Sequence, residues 1–113
     1  MAEVRLTSLE VSTIVAEAKK VFGERLAKVS LFGSRTDLNK SGGDIDLIFD
    51  VAGAGFDKYA EIQALRIGLC ARLGEQKFDL LVVDSDPTAN SDRERIFLAV
   101  VRPGSKVIWS AND

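Results

Sequence analysis

Apolar residues recur at two spacings along this chain, and the changes between them mark out helices and strands. Val11, Ile14, Val15, Ala18 and Phe22 stand three and four apart, the spacing of one helix face. Thr7-Ser8-Leu9-Glu10 just before them has the form of a capping box, and Gly23 suits a C-terminal cap, so a helix is predicted over 8–22. Residues 28–32 form a short apolar run that ends at Gly33 and reads as a strand. Residues 44–51 alternate, with Ile45, Leu47, Phe49 and Val51 on one face and Asp44, Asp46, Ile48 and Asp50 on the other. After a small-residue turn at 52–55, a second helix is predicted over 57–73, with Tyr59, Ile62, Leu65, Leu69 and Leu73 facing inward and Gly74 ending it. Gly68 inside that helix costs about 1 kcal/mol relative to alanine, which points to close packing there.

The next alternating run, 77–83, puts Phe78, Leu80 and Val82 on one face and Asp79, Leu81 and Val83 on the other. Ser85-Asp86-Pro87 is a turn, and Ser91-Asp92-Arg93-Glu94 is a second capping box, opening a helix that continues to 101. Pro103-Gly104 turns the chain into a last strand over 106–109, where Trp109 reads as core or edge packing. The order is α-β-β-α-β-α-β. It predicts an α/β (α+β) fold: a small mixed sheet with helices mainly on one face, the first two strands forming an antiparallel hairpin across the loop 33–43.

Composition narrows the picture. At 113 residues the chain is expected to be one domain, 1–113, with no room for a separate substrate domain. The net charge of −2 argues against stable nucleic-acid binding, which needs a basic footprint. There is no histidine, so a histidine triad, a histidine base and a histidine-ligated metal are excluded. The one cysteine, Cys70, cannot form an internal disulfide and reads as a buried thiol on an apolar helix face. The first ten residues lack the apolar centre of a signal peptide, and no apolar run approaches membrane-spanning length, so a cytoplasmic location is expected.

The candidate chemistry is acidic. Asp44 and Asp46 share one face of a strand, their Cα atoms about 7 Å apart. Asp79 occupies a position where an apolar strand ordinarily carries valine or isoleucine. Unrelated surface carboxylates are the plain alternative. If the third strand lies beside the second, however, the three converge. Two carboxylates about 4 Å apart repel by about 4 kcal/mol at an effective dielectric of about 20, so such a group calls for a cation. A site offering only oxygen suits Mg²⁺ or Mn²⁺. Just upstream, Gly33 permits an unusual backbone angle, and the amide and hydroxyl of Ser34 could meet phosphate oxygens. Arg35 and Lys40 could add charge to a triphosphate and read equally well as solvated loop residues. The loop is not a Walker motif, since it has no Gly-Lys-Ser/Thr ending, and it is not a dinucleotide fingerprint. Asp50, Asp84, Asp86 and the charges at 93–95 read as solvated or turn residues.

Gly33-Ser34, nine intervening residues, then Asp44-Ile45-Asp46-Leu47, with Asp79 on a later apolar strand, resembles the polymerase-beta-type nucleotidyltransferase superfamily. The short chain resembles its minimal (MNT) branch. The likeness covers 27–83, with the flanking helices agreeing in order only. The resemblance implies that Gly33 and Ser34, with Arg35 beside them, bind the triphosphate of ATP. It implies that Asp44 and Asp46 bridge two Mg²⁺ ions, and that Asp79 completes the metal site that activates an attacking hydroxyl. Minimal members of the family are commonly partnered with a helical HEPN protein in a toxin–antitoxin module. The implied role here is an antitoxin that forms a hetero-oligomer with a HEPN toxin and transfers AMP from ATP to a tyrosine hydroxyl of that toxin. Two alternatives stay open: an antitoxin that acts by binding alone, and nucleotidyl transfer to a tRNA end or a small molecule.

Overall fold

A computed structural model describes residues 6–33, 44–53, 58–74 and 76–111. Helix α1 spans Ser8–Phe22. Its capping box is formed in both directions: the Glu10 amide donates to Thr7 Oγ1 at 3.0 Å, and the Thr7 amide donates to Glu10 Oε1 at 2.8 Å. Lys19 and Lys20 in the last turn complement the helix dipole, and Gly23, at φ 60°, ends the helix as expected. A 3-10 turn leads into β1, Leu26–Phe32, which begins two residues before the predicted run. Strand β2 is Ile45–Val51, α2 is Lys58–Leu73 and β3 is Phe78–Asp84. Helix α3, Asp92–Val101, opens on the second capping box at Ser91 and Glu94, and β4 is Lys106–Ser110.

The strands form one mixed sheet in the order β3-β2-β1-β4. Strands β1 and β2 are the predicted antiparallel hairpin. Strand β3 runs parallel to β2, which the long connection through α2 allows. Strand β4 returns antiparallel to β1. Helices α1 and α2 cover one face, where Ile14, Ala18 and Phe22 meet Ile45, Leu47, Phe49, Leu65 and Leu69 in the main core. Helix α3 covers part of the other face, where Leu98 lies against Ile48 and Val83. Strand β2 is thus buried along most of its length, because both faces are covered.

Four side chains depart from the sequence reading. Tyr59 is 77% exposed and does not face the core; it lies in the first turn of α2. Asp50 is buried, not solvated: Arg102 grips it with two donors, at 2.6 and 3.3 Å. That guanidinium arrives from the turn after α3, far away in sequence, and so leaves no local pattern. Glu94 is not merely solvated, since besides its capping role it is ion-paired with Lys58 of α2. Cys70 is only partly buried, at the margin of the main core. Among the described residues no helix is long and apolar enough to cross a membrane.

The end of β3 is closed by one side chain. Asn90, buried beneath the turn that follows, accepts from the Asp84 amide at 2.8 Å and donates to the Asp84 carbonyl at 3.0 Å. Asp84 and Asp86 organise that turn through the Asp86 and Thr88 amides, as their sequence setting predicts.

Candidate active site

The hairpin and the parallel pair bring the acidic residues together. Across the sheet, Asp79 of β3 lies opposite Asp46 of β2, and Asp46 lies opposite Phe32 of β1. Asp44 stands one residue before β2 begins. One carboxylate oxygen from each of Asp44, Asp46 and Asp79 lies within 4.8 Å of the others. The convergence that the sequence made conditional on strand order is therefore present. Asp44 and Asp46 are half-buried and Asp79 is exposed, so the cluster opens to one side.

The electrostatics follow from this crowding. Burial of Asp46 comes first, then its hydrogen bond with Asp79, then the charges of Asp79 and Asp44; together they push its carboxyl from an ordinary 3.8 up to about 6. At separations of no more than 4.8 Å, each carboxylate pair repels by at least about 3 kcal/mol at an effective dielectric of about 20. Among the described residues no lysine or arginine is ion-paired to any of the three. A divalent cation fits this donor set: oxygen ligands only, clustered at metal-ligand spacing, with excess negative charge and an open side for substrate.

Gly33 ends β1 beside the cluster. Its φ is +77°, in the region that favours glycine, and a Cβ added there would stand 2.1 Å from Asp46 Oδ2 and 3.1 Å from its Cγ. Gly33 has the unusual backbone angle expected of it, and the Asp46 carboxylate fills the space that a side chain there would take. Ser34 and Arg35, the other expected triphosphate contacts, lie outside the described residues, as does Lys40.

Phe32 is a neighbour of the site that sequence reasoning passed over. It follows the alternation of β1 onto the acidic face and meets the ring of Phe97 edge-on, with centroids 6.0 Å apart. A cavity of about 510 Å³ lies elsewhere, at the far ends of β2 and β3, lined by Asp50, Asp84, Asn90, Leu98 and Arg102. Asp50 is about 13 Å along β2 from Asp46, with Ile48 sealed under α3 between them, so this cavity is not part of the acidic cluster.

No known family profile matches the chain, and no curated protein matches it. A solved structure does. It is a protein from Sulfolobus solfataricus to which nucleotidyltransferase activity has been ascribed. It is 22% identical, with a TM-score of 0.55 over 93% of this chain and 82% of that one. At that identity the likeness is one of fold: the chain has the mixed-sheet architecture of that nucleotidyltransferase-like protein, and its own acidic cluster spans β2 and β3 of its sheet.

Proposed function

We propose that this chain is a divalent-metal-dependent nucleotidyltransferase that transfers AMP from ATP to a protein hydroxyl. The acceptor is a tyrosine of a helical HEPN-type partner toxin, and the chain is the antitoxin. The observation that carries the reading is the meeting of Asp44, Asp46 and Asp79 on adjacent strands beside Gly33. The shared fold with a protein of ascribed nucleotidyltransferase activity supports it. The toxin partner, the tyrosine and the choice of ATP come from the resemblance of the Gly-Ser and Asp-x-Asp motifs to the minimal branch.

In the transfer, the acceptor oxygen bonds to the α-phosphorus, the bond from that phosphorus to the bridging oxygen breaks, pyrophosphate leaves and the hydroxyl proton is released. Bound Mg²⁺ would lower the pKa of the hydroxyl and neutralise charge on the phosphates. Asp46, central in the row and half-buried, would hold metal from within the sheet; Asp44 and Asp79 would hold it from either side. Gly33 keeps the Asp46 carboxylate free to take that position. The exposed side at Asp79 is where an acceptor would enter.

The test is labelling. The purified chain is incubated with α-labelled ATP, Mg²⁺ and the protein encoded beside its gene. Wild type is expected to label the partner, and the Asp44→Asn, Asp46→Asn double variant is expected to lose at least about a hundredfold of that activity. Equal labelling by the two would sink the catalytic reading. A double variant that still neutralises the partner in cells would favour an antitoxin that acts by binding alone.

A further inference from the structure

Asp79 sits on the outermost strand, at its second residue, where a strand is least secured. Something must hold that end if Asp79 is to stay beside Asp46. On the inner side the Ile45 amide donates to the Lys77 carbonyl at 2.9 Å. At the other end of β3 the Ser85 amide donates to Val51 at 3.0 Å. The odd-numbered residues of β3 therefore turn their backbone groups toward β2. By strand alternation the even-numbered ones, Phe78 first among them, turn theirs to the open edge. The Phe78 carbonyl, one peptide before Asp79, is met there by the guanidinium of Arg66, whose Nη1 donates at 2.8 Å. Arg66 is a half-buried residue of α2, the helix that connects β2 to β3.

We propose that Arg66 is a positioning residue for the metal site: it clamps the start of β3 from outside the sheet and so fixes where Asp79 presents its carboxylate. The inference rests on the metal-site reading above. The geometry distinguishes Arg66 from the ion-paired arginines. Arg25, Arg72, Arg95 and Arg102 bind carboxylates, whereas the hydrogen bond of Arg66 goes to a backbone carbonyl adjoining a candidate ligand. An arginine reaches an edge carbonyl from a neighbouring helix because its stem is long, and a charged donor makes the stronger bond. Lysine retains reach and charge; methionine retains only the stem.

The experiment compares Arg66→Met and Arg66→Lys with wild type and Asp79→Asn in the full chain. Mn²⁺ affinity is read from the free-ion paramagnetic resonance signal, and amide hydrogen exchange is read at Asp79 and Leu81. Arg66→Met is expected to weaken Mn²⁺ binding about tenfold, the usual scale for losing a group that orients a ligand, and to speed exchange at the start of β3 ahead of the core. Arg66→Lys is expected to stay within about twofold of wild type on both measures. The inference is overturned if Arg66→Met binds Mn²⁺ like wild type, if lysine is no better than methionine, or if exchange accelerates uniformly across the sheet. Failure of the metal-site reading looks different: Asp79→Asn then binds Mn²⁺ as well as wild type does, or wild type binds none, and the proposal for Arg66 falls with it.

Discussion

At Gly33 a missing side chain decides how Asp46 sits. The left-handed backbone angle alone makes any other residue costly there, by about 1–3 kcal/mol. The carboxylate that fills the space of a Cβ adds a second, separate penalty. Gly33→Ala is therefore expected to lower stability by about 2 kcal/mol in urea unfolding and, beyond that, to lose Mn²⁺ affinity because Asp46 is pushed aside. A variant that is less stable yet binds Mn²⁺ normally would show that Asp46 has another position open to it. Much of the candidate site was readable from the chain. Asp44 and Asp46 announce themselves by their shared strand face, and Asp79 by being acidic in an apolar strand. What could not be read was the reason for Gly33, since Asp46 meets it only across a hairpin, and the burial of Asp50, since Arg102 reaches it from the far side of α3.

Helices α1 and α2 pack against one another at a glycine and a glutamate. Glu17 is buried, and its carboxylate is held by Lys20 at 2.9 Å and Arg72 at 3.0 Å, which together keep its pKa below the ordinary value against the opposing effect of burial. A Cβ on Gly68 would stand 2.2 Å from Glu17 Oε1. In an open helix Gly68→Ala would gain about 1 kcal/mol. Here it is expected to lose about 1 kcal/mol instead, because the pinned carboxylate must move. In the Glu17→Ala background the same substitution should recover its helical gain, so a double-mutant cycle by thermal or urea unfolding measures the clash directly. A net gain from Gly68→Ala in the native background would mean that Glu17 yields freely. Helix limits were the most legible part of the fold: two capping boxes and a glycine stop fix α1 and the start of α3 with local chemistry alone. The parallel pairing of β2 with β3 was not legible, because it depends on how the sheet is ordered and not on either strand's own pattern.

The acidic cluster leaves a mark on the stability of the whole molecule. The folded-state value of Asp46, about 6, lies above its ordinary 3.8. The native state therefore takes up a proton as pH falls from 7 toward 5 and is stabilised by it; the gain is lost as pH rises through about 6. Glu17 and Glu94 have lowered values, so their contributions fade only in more acidic solution and stay clear of this window. Metal-free wild type is expected to melt higher at pH 5 than at pH 7.5. Asp46→Asn should flatten that interval and raise the pH 7.5 melting temperature, as scanning calorimetry would show. An unchanged pH profile in Asp46→Asn would place the strain elsewhere. The outer edge of β3 has a consequence of its own. Arg66 occupies the Phe78 carbonyl at one end, and the Asn90 amide occupies both backbone groups of Asp84 at the other. An incoming strand from a second molecule would find both ends of that seam already taken. The side of the sheet that carries Asp79 is thereby a poor template for fibril growth, even though its strand is the outermost of the four.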